Sequence, residues 1–206
     1  MYFIYIPDWL SSLFPAFLCH GDRQSNIIYL TFDDGPIPHI TPWVLDVLAD
    51  FDAKATFFCV GDNVRKHPDI YQRILAEQHT TGNHTFHHLD AWKTKKSDYL
   101  ENIQLADNQI DSQLFRPPYG HLTYSTTKAL SKGKQIVLWD VLSGDFDETI
   151  SSDQCWQNVK KHTRAGSVIV FHDSQKAEQR LRYALPKTLA HFSEKGFRFE
   201  ALSSNK

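Results

Sequence analysis

The chain has 206 residues, and 22 Lys and Arg stand against 24 Asp and Glu, so its net charge is only −2. This balance supplies no field that would attract nucleic acid or an anionic membrane surface, and we expect no nucleic-acid partner. Hydrophobic residues make up 41% and charged residues 22%, which is typical of one globular domain and argues against a disordered chain or a coiled coil.

The amino-terminal stretch, residues 1–25, is predicted to be a segment that packs on the main domain at residues 26–206. Its apolar side chains are spaced to form one face of a short helix. No Lys or Arg precedes Arg23, and Pro7 and Asp8 interrupt the apolar run, so neither a secretory signal nor a membrane span is recognised. This pattern favours a cytoplasmic location. The side chains of the predicted face are Trp9, Leu10, Leu13, Phe14 and Phe17.

From residue 26 onward, short apolar runs alternate with segments of helical period, the pattern of βα units around a parallel sheet or barrel. Strands are predicted at residues 26–32, 55–60, 114–116, 135–141, 167–171 and 197–202, with a seventh around 80–84. Helices are predicted from Thr41, as a capping residue, and at residues 68–78, 97–111, 125–132, 152–162 and 181–195. Gly196 suits the position that ends the last helix.

The cysteines are not expected to stabilise the fold through disulfides or a metal site. The three cysteines, Cys19, Cys59 and Cys155, are odd in number and widely spaced, which fits neither a complete disulfide framework nor a Cys-rich zinc site. Any metal must therefore be held by other residues, and the eleven histidines are the obvious source.

Two adjacent carboxylates, Asp33 and Asp34, lie in the run TFDDGP where the first strand ends. A turn after a strand can bring both into one site, although the same run also fits an ordinary Asp-Gly turn. An aspartate-nucleophile phosphatase is a further alternative, but its two aspartates would be separated by one residue.

Histidines follow the possible strand at 80–84, in the run NHTFHH. His84 and His88 are four apart, so they can share one face of a helical turn and bind a metal, whereas His87 faces elsewhere. Thr85 stands where a zinc-protease helix would carry Glu, which excludes that class. The third ligand would come from Asp33 or Asp34, and the alternative is a set of surface histidines.

Three more polar clusters fall at predicted strand ends, where a barrel collects its chemistry. They are RPPYG, which begins at Arg116, SGDF, which contains Asp145, and VFH, which ends at His172. Taken together and in this order, the five motifs resemble those of the polysaccharide deacetylases, the NodB-homology family or carbohydrate esterase family 4. The resemblance spans residues 26–202.

The resemblance implies an α/β fold, a distorted (β/α)7 barrel in a single domain. It implies a hydrolase acting on C–N bonds other than peptide bonds, which removes acetyl groups from an N-acetylated amino sugar or acetylated glycan by metal-activated water. One divalent metal is implied, with Zn²⁺ the expected ion and Co²⁺, Ni²⁺ or Mn²⁺ as alternatives. The expected partner is an acetylated carbohydrate, and the oligomeric state is left open.

Carried over position by position, the resemblance makes Asp33 the general base, oriented by Arg116, and His172 the general acid, held by Asp145. The N–H of Tyr119 is implied to bind the oxyanion. The implied metal ligands are Asp34, His84 and His88.

The chain departs from the family pattern at two positions. Phe146 stands where Trp is common, and Leu142 where Asp is frequent, so the aromatic wall that contacts the sugar is altered. Trp92 and Tyr119 are candidates to compensate by stacking on a pyranose ring. Two alternative functions stay open: hydrolysis of another small acyl or C–N bond on the same fold, and a non-catalytic glycan-binding module.

Overall fold

Parallel strands form the frame that positions the polar clusters. In the computed structural model, which describes residues 2–203, the strands are β1 (Phe17–Leu18), β2 (Ile27–Asp33), β3 (Ala55–Cys59), β4 (Thr80–Asn83), β5 (Leu114–Phe115), β6 (Gln135–Val137), β7 (Val141–Leu142), β8 (Val168–His172) and β9 (Arg198–Phe199). The seventh strand expected around residues 80–84 is therefore present as β4.

Helices alternate with these strands, as the apolar spacing predicts. They are α1 (Asp8–Ser11), α2 (Thr41–Asp50), α3 (Gly61–Lys66), α4 (Pro68–Ala76), α5 (Lys96–Asp107), α6 (Tyr124–Leu130), α7 (Ser152–His162) and α8 (Glu178–Glu194). The six helices predicted from residue 41 onward are confirmed as α2 and α4 to α8, with ends shifted by a few residues, and α3 was not predicted. Gly196 has φ +80°, which confirms it as the residue that follows the last helix.

The sheet runs in the order β1-β6-β5-β4-β3-β2-β8-β7, with β9 paired to β2, and these strand pairs are parallel. Within residues 2–203, β1 and β7 are not paired with each other, so the curled sheet forms a distorted barrel that stays open between these two end strands. This confirms the predicted α/β class and barrel. Among residues 2–203, the helices are all too short or too polar to cross a lipid bilayer.

The strand predicted at residues 135–141 is two strands, so that prediction was wrong. β6 pairs with β1 and β5, whereas β7 pairs with β8. Just beyond the end of β6, the Leu138 N–H still donates to Leu18 O of β1, at 2.8 Å. Two residues later, the buried Asp140 carboxylate accepts the N–H of Val168 at 2.8 Å and an Arg23 N–H, also at 2.8 Å. The chain therefore crosses the open side of the barrel at residues 138–140.

Side chains along β2 point alternately to the hydrophobic core beneath the helices and to the interior of the barrel. Leu30 and Phe32 are fully buried against the helices, and the Phe32 ring stacks on Phe57 with centroids 5.0 Å apart. Thr31 and Asp33 point to the opposite side of the strand, as period-2 geometry requires, and there meet Arg116 inside the barrel. Asp33 is thus held inside the barrel at the carboxyl end of a central strand.

The amino-terminal segment differs from its prediction. The helix is only four residues long, and Trp9, Leu13 and Phe14 are 68%, 63% and 51% exposed, so the predicted packed face was wrong. The chain turns after Ser11, and Phe17 enters β1 to pair with Ile136. The division at residues 25 and 26 stays a prediction.

Candidate active site

The two adjacent carboxylates point in different directions because the backbone turns between them. Asp33 is the last residue of β2 and pairs in register with Phe58 on one side and His172 on the other. Asp34 has φ +86°, in the left-handed region that few non-glycine residues adopt. The turn that the sequence predicted therefore sends Asp33 toward Arg116 and Asp34 toward the histidines.

Asp173 holds this turn, and sequence reasoning missed it. Its carboxylate accepts the Gly35 N–H at 3.0 Å and the Thr41 hydroxyl, and its own N–H donates to Asp33 O at 3.1 Å. Burial, followed by the charge of Asp34, raises the pKa of Asp173 to about 8, against the opposing effect of the Thr41 hydrogen bond. An Asp directly after a candidate catalytic residue was the available signal.

Thr41 does not cap helix α2, so that prediction was wrong. It is the first residue of the helix, and no side-chain cap is formed at Ile40. Its hydroxyl oxygen instead accepts the Ile37 N–H at 2.8 Å while its proton goes to Asp173. The helix start is thereby tied to the Asp34 turn.

His84 and His88 come together without the helical turn that their spacing suggested. Thr85 and His88 both have positive φ, +64° and +55°, and the segment after β4 is a loop. The Asn83 side chain accepts the Thr85 N–H at 2.7 Å, which supports the unusual backbone. His87 points away, as predicted, and its Nδ1 lies 2.8 Å from Asn102 Nδ2.

Asp34, His84 and His88 each offer one ligand atom, and these atoms all lie within 4.8 Å of one another. Asp34 Oδ1 is 3.2 Å from His88 Nε2 and 3.9 Å from His84 Nε2. This oxygen is buried and receives no hydrogen bond from residues 2–203, which leaves its lone pairs available to a cation. Two imidazoles and a carboxylate with this spacing fit a divalent metal.

Protonation states around these three groups favour cation binding. Burial lowers the pKa of His84 to about 4, and its Nδ1 lies 2.8 Å from the carbonyl oxygen of Arg116. The N–H must be on Nδ1 to use that acceptor, so Nε2 carries a free lone pair. Burial raises the pKa of Asp34, but the close approach of the His88 imidazole, 3.2 Å away, and the His172 charge outweigh this effect and keep the pKa well below its usual range.

Arg116 is fully buried and joins the barrel interior to Asp33. Its Nη1 donates to Asp33 Oδ1 and to Thr31 Oγ1, each at 2.7 Å, and its Nη2 donates to Leu138 O at 2.9 Å. The guanidinium also lies over the Phe58 ring, 4.1 Å from its centroid. A planar charge with this many partners fixes the orientation of Asp33.

His172, at the end of the neighbouring strand β8, forms a second ion pair with Asp145, which lies in the loop after β7. Asp145 is fully buried, and its two oxygens accept the backbone N–H and pair with Nδ1 of His172, each at 2.7 Å. Burial lowers the pKa of His172, but the charge of Asp145 and its hydrogen bond outweigh this and raise it to about 9. Because Nδ1 is paired with Asp145, Nε2 is the ring nitrogen of His172 that is available to exchange a proton with a ligand. Arg180 Nε donates to the Asp145 carbonyl at 2.6 Å and supports this loop.

The three candidate metal ligands lie in one cleft of about 450 Å³ together with the predicted base and acid. Asp33, Asp34, His84, His88 and His172 line it, as do two of the predicted substrate residues, Tyr119 and Phe146.

The third predicted substrate residue, Trp92, lies outside the lining. It stacks on His121, which does line the cleft, with ring centroids 3.5 Å apart. Sequence reasoning missed Tyr2, Trp139 and Lys176 in the cleft wall, and no local motif marks them.

Comparison with known proteins points in one direction. A family model described as polysaccharide deacetylase matches residues 20–135. A peptidoglycan-N-acetylglucosamine deacetylase of Bacillus cereus (strain ATCC 14579) is 34% identical over 188 residues, 88% of each chain. A chitooligosaccharide deacetylase of Bradyrhizobium sp. (strain ANU 289) is 34% identical over 75% of this chain and 74% of that one. The crystal structure of the Bc1960 peptidoglycan N-acetylglucosamine deacetylase superposes with a TM-score of 0.85 at 32% identity, over 96% of this chain and 95% of that chain.

Proposed function

Because this chain belongs to the polysaccharide deacetylase family, we propose that it removes the acetyl group from N-acetylglucosamine units of a glycan, with peptidoglycan and chitooligosaccharides as the substrate classes. The observation that carries the proposal is the shared cleft: the Asp34, His84 and His88 cluster lies beside the Asp33–Arg116 and His172–Asp145 pairs. Amide hydrolysis needs a base, an acid and a stabilised oxyanion, and each has a candidate here.

We assign Asp34, His84 and His88 as ligands of one divalent metal. The mixture of two imidazoles and one carboxylate favours Zn²⁺, with three protein ligands and an open position. When bound, such an ion lowers the pKa of a water and draws charge from a carbonyl oxygen. An oxygen-only site for Mg²⁺ would not use imidazole, which argues against a phosphatase.

Asp33 acts as the general base in this proposal. Arg116 holds Oδ1 and keeps the carboxylate pointed at the cleft, so the other oxygen is free to accept a proton from the attacking water.

His172 acts as the general acid. Its Nδ1 is committed to Asp145, and its raised pKa keeps a proton on the ring at neutral pH, ready for the departing amine. The Tyr119 N–H, in a short turn at Pro118–Gly120 where Tyr119 has φ +62°, donates to the oxyanion.

The test is an acetate-release assay on chitooligosaccharides, peptidoglycan fragments and acetylated xylan. We expect release from the first two after loading with Zn²⁺, and loss of release after chelation. Metal content is measured on the same samples by elemental analysis. Release from neither N-acetylated substrate, despite one bound metal per chain, would contradict the proposal and favour a different small acyl substrate. Failure to bind metal would favour the non-catalytic module.

A further inference from the structure

The amino-terminal segment forms part of the sheet edge next to the cleft. Residues 4–6 run antiparallel to β7, with a bridge between Tyr5 and Val141. The Leu142 N–H donates to Ile4 O at 2.8 Å, and the Ile6 N–H donates to Asp140 O at 2.9 Å. This pairing fixes the direction of the chain and brings Tyr2 to the mouth of the cleft.

Tyr2 is held in the cleft wall by two contacts. Its hydroxyl donates to Asp147 Oδ2 at 2.6 Å, and its ring lies 5.0 Å from the Phe146 ring. The Phe146 ring in turn lies 5.1 Å from the His172 imidazole, edge to face. Tyr2, Phe146 and His172 therefore form a row of rings that leads from the rim of the cleft to the proposed acid.

The row is suited to a sugar. A pyranose with equatorial substituents presents a face of C–H groups to an aromatic ring and keeps its hydroxyls at the edge, in water. Tyrosine combines an apolar ring with a polar tip and has few side-chain torsions to immobilise. The bond to Asp147 fixes the Tyr2 ring before the ligand arrives, and its proton stays in place because burial and Asp147 raise the pKa of Tyr2.

We propose that Tyr2 is a substrate-binding residue, which extends the wall begun by Phe146 and packs against the sugar next to the one that is deacetylated. This deepens the proposed function and rests on it. The Phe146 ring packs against His172 at one end, and Tyr2, 144 positions away in the chain, continues the aromatic surface toward the rim of the cleft. Because Tyr2 would contact the sugar next to the one that is deacetylated, its effect on binding should grow with the length of the oligosaccharide.

Steady-state kinetics with Tyr2→Ala on the N-acetylated chitooligosaccharides from dimer to tetramer test this role. We expect KM for the tetramer to rise by about threefold to tenfold, the scale of one aromatic contact, with kcat changed by less than about twofold. The dimer should be affected less. Tyr2→Phe keeps the ring and should retain most of the affinity. A KM that is unchanged at every length, or a loss confined to kcat, would overturn the proposal.

Two control variants distinguish an effect of the Tyr2 ring on KM from a general effect of changing the amino-terminal segment. Phe3→Ala changes an exposed neighbour that lies outside the cleft, and Tyr124→Ala removes an exposed tyrosine from helix α6. Both should match the wild type in KM. An increase of KM in Phe3→Ala equal to that in Tyr2→Ala would assign the effect to the segment and overturn the specific role of Tyr2.

A binding measurement distinguishes failure of the Tyr2 proposal from failure of the deacetylase assignment. If the wild type releases no acetate, the deacetylase assignment fails, and the tetramer is titrated into wild type and Tyr2→Ala by calorimetry. Weaker binding of the tetramer to Tyr2→Ala than to the wild type would still support Tyr2 as a glycan-binding residue. Equal binding to both, or binding to neither, would overturn it.

Discussion

Arg116 and Asp33 form an ion pair inside the barrel, with Nη1 2.7 Å from Oδ1 and the arginine fully buried. Oδ1 is the one oxygen of Asp33 that accepts a hydrogen bond from the side chains of residues 2–203. The pair thus uses one carboxylate oxygen for positioning and leaves the other free for the proton transfer that we propose for Asp33. Truncating either side chain to alanine would leave the other charge buried without a hydrogen-bonded partner, which is strongly destabilising.

Asp33→Asn tests the base. The amide has nearly the same size and can still offer its oxygen to Arg116, but it cannot take a proton at neutral pH. We expect kcat to fall by about 10² to 10⁴ while the bound metal stays near one per chain. Kinetics and elemental analysis on the same preparation check both points. Loss of the metal together with activity would make Asp33 a ligand instead.

His88→Ala tests the ligand set, and His87→Ala is its matched control. His88 contributes one of the three clustered ligand atoms, whereas His87 is turned toward Asn102. We expect His88→Ala to lose stoichiometric zinc and His87→Ala to retain it, because two ligands cannot complete the site. Competition with a chromogenic chelator measures the affinities. Equal retention by the two variants would remove His88 from the set.

The pH profile tests the pairing of His172 with Asp145. Since Asp145 raises the pKa of His172 to about 9, the imidazolium is present below that pH and is lost as the pH rises through it. We therefore expect kcat/KM to fall on the alkaline side near pH 9. Asp145→Asn removes the stabilising charge, so this limb should move down by about 1 to 3 pH units. A limb that does not move would show that Asp145 leaves the titration of His172 unchanged.

Gly35→Ala tests how tightly the Asp34 turn is held. A Cβ at Gly35 would overlap the Asp173 carboxylate, which is itself fixed by Thr41, whereas a Cβ at Gly133 would meet nothing within 4 Å. We expect Gly35→Ala to lower the free energy of unfolding by about 1 to 3 kcal/mol and to weaken metal binding. Gly133→Ala should change neither. Denaturant unfolding and zinc titration of both variants provide the comparison.

Much of the fold follows from local pattern. Helix α2 was predicted because Val44, Leu45 and Leu48 recur at the spacing of one helix face, and these three side chains are buried. Asp33, the His84 region and His172 could be placed at one edge because parallel strands end on the same side of a barrel. The resemblance to the polysaccharide deacetylases added the roles of individual residues, which stay predictions.

The backbone between His84 and His88 could not be predicted from spacing. Four residues fit one turn of a helix, but Thr85 and His88 adopt positive φ, which Asn83 and its neighbours support. The single strand expected at residues 135–141 failed for a related reason. The apolar run continues through the break, and only the buried bonds of Asp140 with Arg23 and Val168 show where the chain crosses the barrel.

The sequence by itself determined the α/β alternation, the side of the sheet on which the polar motifs lie and the residue types able to hold a metal and move protons, because these depend on periodicity and on chemistry local to each motif. Only the tertiary structure decided that Asp173 and Thr41 hold the Asp34 turn and that Tyr2 reaches Phe146. Those contacts join residues more than 130 positions apart. Such pairings depend on how strands are ordered in the sheet, and no local pattern in the chain encodes that order.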